Sequence, residues 1–120
     1  MDRPEEKQAF QELKAAIRNK EPANLYIFYG EETFLLNHYL SQLKKVVLDE
    51  LTESFNYHRF NSENFDLRAF VDAVENLPMM AERTLVQLDD VDIFKLAEDG
   101  RDTVAAILSD IPDYCTLVLT

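Results

Sequence analysis

The chain is poor in cysteine, glycine and basic residues, and each shortage excludes a class of site. A single cysteine, Cys115, allows no internal disulfide and no thiolate cluster for a structural metal. Only two glycines are present and no Gly-Lys-Ser or Gly-Lys-Thr occurs, so the signature of an ordinary nucleotide phosphate loop is missing. Twelve basic against 23 acidic side chains give a formal net charge of -11. A surface this negative repels nucleic-acid phosphates, so the chain alone should bind DNA poorly.

Long hydrophobic runs are also absent. No segment approaches the roughly 20 apolar residues of a membrane helix, and the acidic, polar start MDRPEEKQAF differs from a signal peptide. We therefore expect a cytoplasmic protein with no membrane partner. The apolar fraction of 47% and charged fraction of 29% are ordinary for a globular chain. A length of 120 residues supports one domain with a single hydrophobic core.

Apolar periodicity predicts helices that alternate with strands. A helix should begin at Pro4 and end before Pro22, which cannot continue it. The apolar run from Leu25 to Tyr29 predicts a strand covered on both faces. The remaining predicted elements, in order, are a helix at 33–49, a strand at 55–60, a helix within 62–77, a strand at 83–90, a short helix or turn at 93–100 closed by Gly100, a helix at 101–111 and a strand at 115–120.

This alternation predicts an α/β fold. Strands joined through helices form a parallel sheet by right-handed crossovers, with helices on both faces in three layers. The chain stops inside an apolar strand pattern with no closing helix. From this ending we expect residues 1–120 to be the N-terminal piece of a longer protein.

The segment LYIFYGEETFLL has the layout of a phosphate loop, an apolar strand, a glycine and a helix start. Glu31 and Glu32 place negative charge at that helix start, where the helix dipole favours it and where it excludes a phosphate. The pair can be a simple helix-start charge pair, with Thr33 as a helix cap. In either case the loop should not hold a triphosphate.

Carboxylates and histidines elsewhere give weaker signals. Asp89 and Asp90 follow a predicted buried strand, as in the magnesium-holding segment of NTPases, but Asp90 or Asp92 can equally cap the next helix. His38 and His58 have no partner at ligand spacing, so we assign no metal and no catalytic residue. Cys115 lies in the run YCTLVLT and is expected to be a small buried side chain.

The segment NLPMMAERTLV contains the candidate binding residues. Pro78 interrupts the preceding helix, and Met79 and Met80 are adjacent, so both side chains cannot point into one core pocket. At least one should therefore meet solvent or a partner, for which methionine is well suited. The alternative is that both are largely structural.

Taken in order, YIFYGEETFLLNHYLSQLKK, LPMMAERTLVQLDD and DYCTLVLT resemble the N-terminal domain of the delta subunit of bacterial DNA polymerase III. The resemblance covers essentially the whole chain. It implies a P-loop NTPase (AAA+) core with a degenerate phosphate loop, no bound nucleotide and no catalysis. It also implies that a lid domain and a helical collar follow beyond Thr120.

The resemblance also implies a role in DNA replication, as the clamp-loader subunit that holds and opens the beta sliding clamp. By motif position, Met79 and Met80 would insert into a hydrophobic pocket of the clamp, with Leu77 and Pro78 shaping the turn. The family often has a phenylalanine in this pair, and this chain does not. Other clamp-loader subunits (tau or gamma, and delta prime) would contact mainly the missing domains, and DNA only the assembled complex.

Two enzyme-like alternatives differ from this reading. A receiver-like signalling domain would use Glu31, Glu32, Asp89 and Asp90 to bind Mg²⁺ and accept a phosphoryl group on an aspartate. Receivers normally have a lysine at the end of a later strand, and this sequence stops before one could be seen. An active NTPase fails because the required glycines and lysine are missing.

Overall fold

The structure is a computed structural model that describes residues 4–19, 22–27 and 33–120, with only the backbone described for 4–10, 13 and 33–36. Helices and strands alternate as the sequence predicts. The helices are α1 (Pro4–Asn19), α2 (Thr33–Val47), α3 (Glu53–Asn56), α4 (Leu67–Glu75) and α5 (Glu98–Ser109), with a 3₁₀ turn at Ile93–Lys95. The strands are β1 (Leu25–Ile27), β2 (Tyr57–Asn61), β3 (Thr84–Asp89) and β4 (Cys115–Leu119). None of the helices in these ranges is long and apolar enough to cross a membrane.

The four strands form one parallel sheet in the order β1-β4-β3-β2. Side chains of β3 alternate between its two faces, because successive residues of a strand point to opposite sides. Leu85 packs on the face that α1 and α2 cover, and Val86 and Leu88 pack on the face that α4 and α5 cover. The prediction of an α/β fold with helices on both faces of a parallel sheet is confirmed.

Each face has its own buried cluster. The cluster beneath α1 and α2 includes Ala16, Leu40, Leu43 and Val47 together with Tyr26, Leu85 and Val118. The cluster beneath α4 and α5 includes Phe70, Val74, Val104 and Ile107 together with Val86, Leu88, Cys115 and Leu117. The expected inward face of the last helix is confirmed, since Val104 and Ile107 are buried and Leu108 packs beside them.

Two local predictions are wrong, the start of the second strand and the role of Gly100. The prediction that the first strand is covered on both faces holds for Leu25 and Tyr26, which pack against the two opposite clusters, although β1 lies at the edge of the sheet and Ile27 is 36% exposed. The second strand begins at Tyr57, because residues 53–56 form the short helix α3 and leave Phe55 exposed.

Gly100 does not close a turn but lies inside α5. A methyl group on it would sit 3.3 Å from the Leu96 Cβ and 3.4 Å from the Leu67 Cδ2, so glycine permits close packing of the chain at this point. The helix expected within 62–77 begins only at Leu67. The Asn61 carbonyl oxygen Oδ1 accepts hydrogen bonds from the backbone N–H groups of Glu63 and Asn64, both at 2.9 Å, and holds these residues in a turn.

Candidate functional site

The candidate site is the loop from Leu77 to Met80, between α4 and β3. This loop lies at the edge of the sheet where the strands begin. Strands β2 and β3 are parallel neighbours, with Tyr57 opposite Leu85, so the segments that precede them meet at that same edge. Helix α3 and the loop are therefore adjacent, although they lie far apart in the sequence.

Pro78 explains where α4 ends. Proline disfavours a helical conformation in the residue before it, here Leu77, and its own nitrogen has no hydrogen to donate. The helix stops at Glu75, and Asn76 is already extended with φ -66° and ψ 140°. The Tyr114 hydroxyl donates a hydrogen bond to the Glu75 carbonyl oxygen, which ties this end of the helix to the segment before β4.

The loop presents three large apolar side chains to solvent. Leu77 is 75% exposed, Met79 is 55% exposed and Met80 is 86% exposed, whereas Pro78 is partly buried. The expectation that at least one methionine meets solvent is confirmed, and the alternative that both are largely structural is wrong. Exposed large apolar side chains side by side are typical of interaction sites rather than of ordinary surface.

Met80 also has an unusual backbone conformation. Its φ is 57°, in the left-handed region that costs a residue with a side chain about 1–2 kcal/mol. Glycine would relieve this strain but would remove a large apolar side chain. The loop therefore has a methionine in a backbone conformation that glycine adopts more readily.

A buried asparagine holds the loop. The Asn56 side-chain oxygen Oδ1 accepts a hydrogen bond from the Met79 backbone N–H at 2.7 Å, and its Nδ2 donates to the Met79 carbonyl oxygen at 2.9 Å. The same Nδ2 donates to the Thr52 carbonyl oxygen at 3.2 Å. Asn56 is only 1% exposed. Reasoning from the sequence missed this residue, because nothing in the local pattern of FNYHRF separates a strand residue from one that binds a loop 23 positions away.

Asp89 lies at the opposite edge of the sheet, where the strands end, within a polar cluster. Its carboxylate forms an ion pair with Arg59 and accepts hydrogen bonds from Gln87 Nε2 at 2.8 Å and from the Thr120 hydroxyl at 3.0 Å. The guanidinium group thus places a positive charge on the carboxylate that the receiver-like alternative assigns to Mg²⁺ or phosphate. Asp90 is exposed in a left-handed conformation with φ 53°. These contacts do not favour that alternative.

Two further sequence predictions concern this end of the sheet, the capping role of Asp92 and the segment from Gly30 to Thr33. Asp92 caps the following 3₁₀ turn, since its side chain accepts a hydrogen bond from the Phe94 N–H at 3.0 Å, as expected. Gly30, Glu31 and Glu32 lie outside the described residues, as does the Thr33 side chain at the start of α2. Their predicted roles therefore stay predictions.

The Asp89 carboxyl has a pKa below its ordinary value of 3.8. Burial by itself raises this pKa, but the hydrogen bonds from Gln87, Arg59 and Thr120 and the charge of Arg59 together outweigh burial. A carboxyl group whose pKa is lower in the folded than in the unfolded chain stabilises the fold at pH values above its ordinary pKa. This stabilisation is lost as pH falls through the folded-state pKa.

We therefore expect Asp89→Asn to lower the free energy of unfolding by about 1 kcal/mol at pH 7, because it removes a charge-assisted contact to an exposed arginine. The difference from the parent chain should hold from neutrality down to a pH of about 3.8 and then shrink as pH falls through the lower folded-state pKa, where the parent carboxylate also becomes protonated. Urea unfolding followed by circular dichroism at several pH values measures both quantities. A difference that stays constant as pH falls below 3.8 would contradict the pairing.

The remaining reactive side chains do not form a second site. His38 is hydrogen-bonded to Gln42 at 2.9 Å, and burial lowers the pKa of His58. Cys115 is fully buried, as expected, and burial raises the pKa of its thiol, which keeps it unreactive. Within the described ranges, no three histidine, cysteine or acidic side chains come together as they would around a metal ion.

Comparison with known proteins connects the chain to replication proteins. A family model described as "DNA polymerase III, delta subunit" matches residues 26–120. The DNA polymerase III subunit delta of Bacillus subtilis (strain 168) is 34% identical over 71 residues, which are 59% of this chain and 20% of that protein. The chain thus spans about a fifth of the length of this curated relative.

Two solved structures share the fold. The Bacillus subtilis DNA clamp loader delta protein superposes with a TM-score of 0.79 at 25% identity, covering 92% of this chain and 34% of that one. A DNA polymerase III gamma subunit-related protein from Thermotoga maritima superposes with a TM-score of 0.62 at 16% identity, covering 90% and 38%. The second likeness concerns the fold alone, and it agrees with the expected AAA+-like architecture. Because the family model matches most of its residues, the chain belongs to the family of DNA polymerase III delta subunits.

Proposed function

We propose that this chain is the clamp-gripping, N-terminal domain of a clamp-loader delta subunit in DNA replication. Leu77, Pro78, Met79 and Met80 bind a hydrophobic pocket of the beta sliding clamp, and this grip helps to hold the ring open. The observation that carries the proposal is the adjacent pair of exposed methionines on a hydrogen-bonded loop. Membership of the delta family supplies the identity of the partner.

The chemistry of the loop suits a transient apolar contact. Methionine is unbranched, flexible and polarisable, so two neighbouring side chains adapt to the shape of a pocket. Complete burial of each contributes about 1.5–3 kcal/mol, or about 3–6 kcal/mol for the pair. Part of this energy is retained as affinity, because the backbone beneath Met79 is already fixed before binding.

The proposed domain grips the clamp without nucleotide and without catalysis. The sequence lacks the glycines and the lysine of a phosphate loop and has Glu31 and Glu32 directly before Thr33. Its net charge of -11 disfavours independent binding to DNA. Contacts with the tau or gamma and delta prime subunits belong mainly to the lid and collar domains of delta, and contact with DNA belongs to the assembled clamp loader.

Surface plasmon resonance tests the proposal. With the sliding clamp of the same organism immobilised, the 120-residue chain should bind saturably and reversibly. Addition of Mg²⁺ and ATP should leave the dissociation constant unchanged. Absence of saturable binding would overturn the gripping role, and an affinity that depends on ATP would overturn the claim that nucleotide is not used.

A further inference from the structure

The buried side chain of Asn56 is hydrogen-bonded to the backbone of the exposed loop at Met79. We propose that Asn56 is a positioning residue, whose buried amide fixes the backbone at Met79 and so determines how Met79 and Met80 are presented to a partner. This inference rests on the proposed function of the loop. It adds a residue from a different segment of the chain to the binding machinery.

The Asn56 side chain pairs with the Met79 backbone in the way that a neighbouring β-strand would. Met79 lies outside helix and strand, so its backbone N–H and carbonyl have no ladder partner. The Asn56 amide offers one acceptor and two donors and meets both groups, at 2.7 Å and 2.9 Å, as a neighbouring peptide would. Its second N–H goes to the Thr52 carbonyl oxygen at 3.2 Å, so both donors are used.

The third hydrogen bond makes the contact rigid. Thr52 is buried and directly precedes α3, where its backbone carbonyl also accepts from the Phe55 N–H at 3.0 Å. The amide is therefore fixed against α3 on one side and against the loop on the other. A displacement of Met79 would leave polar groups around a 1%-exposed side chain without partners, which is costly.

Few other side chains satisfy this geometry. Leucine has nearly the same size but offers neither the acceptor nor the two donors. Alanine leaves both backbone groups of Met79 unpaired. Each substitution should release the loop without removing either methionine.

The experiment compares Asn56→Ala and Asn56→Leu with Asn61→Ala. Asn61 lies at the other end of β2 and also bonds a turn backbone through its side chain, so its replacement is a matched loss at the opposite edge. Hydrogen–deuterium exchange of the Met79 amide, followed by NMR in the free chain, reports on the loop directly. Surface plasmon resonance with the immobilised clamp reports on binding.

We expect the Met79 amide to exchange at least about tenfold faster in both Asn56 variants than in the parent chain. Amides of β3 and β4 should exchange at the same rate in the variants as in the parent chain. Clamp affinity should fall about tenfold, since the free energy of fixing one residue's backbone is of that order. Asn61→Ala should change neither quantity. A general loss of stability would instead accelerate exchange in β3 and β4 as well. If Asn56→Ala fails to fold, the similarly sized Asn56→Leu carries the test.

The outcomes separate the inference from the proposed function. Unchanged exchange at Met79 would overturn the positioning role, whatever the clamp does. Faster exchange with unchanged affinity would show that binding does not need a fixed loop, which also overturns it. If replacing the two methionines left clamp binding intact, the proposed function would fail, whereas the exchange measurement on the free chain would still test the contact of Asn56 with Met79.

Discussion

Replacing Met79 and Met80 together by serine should weaken binding to the sliding clamp by at least about 100-fold. The two side chains are 55% and 86% exposed in the free chain, so their apolar surface is available for burial by a partner. The loss of about 3–6 kcal/mol of burial corresponds to two or more factors of ten in affinity. Surface plasmon resonance over immobilised clamp measures the change.

Phe94→Ser is the matched control for this double substitution. Phe94 is 84% exposed and follows the opposite end of β3, so its replacement removes a large exposed apolar side chain away from the loop. The control should bind the clamp like the parent chain. Thermal unfolding should be nearly unchanged in both variants, because surface substitutions rarely alter stability by more than about 0.5 kcal/mol. Equal affinity of the parent and double variant would remove the loop from the clamp interface.

Replacing Phe70 by alanine should lower the free energy of unfolding by about 3–5 kcal/mol, the usual cost of truncating a buried phenylalanine. Phe70 is 0% exposed in α4, and its ring centroid lies 6.2 Å from that of Phe60 and 5.7 Å from that of Phe65. A domain of this size has only about 5–15 kcal/mol of stability in total. Much of the fold's stability therefore depends on this cluster, from which α4 leads directly into the loop.

Urea unfolding followed by circular dichroism gives this quantity, with Phe94→Ala as the same substitution at an exposed position. The exposed variant should stay within about 0.5 kcal/mol of the parent chain. Similar losses in the two variants would mean that Phe70 is not a packed core residue. A selective loss at Phe70 would establish the cluster of Phe60, Phe65 and Phe70 as the support of α4.

Local pattern was sufficient for most of the fold. The spacing of Val104, Ile107 and Leu108 predicted the inward face of α5, and TLVQLD predicted a buried strand, because helix and strand periods follow directly from backbone geometry. The exposure of at least one of the two methionines was also predictable from the sequence. Two adjacent apolar residues after a proline cannot share one core pocket.

The sequence did not reveal features that depend on contacts between residues distant in the chain. The close packing at Gly100 depends on Leu67, which comes from a different helix, α4. Asn56 is the clearest case, since its partner at Met79 becomes a neighbour only after β2 and β3 pair in parallel. No periodicity in a single sequence records such a contact.

The loop from Leu77 to Met80 precedes β3, whereas Asp89 and its polar contacts lie at the other end of that strand. Six residues of β3 span about 20 Å, so a substitution at one rim is too far away to touch a ligand at the other. The apolar surface at one rim of the sheet can therefore be altered in a variant while the polar contacts at the far rim stay intact.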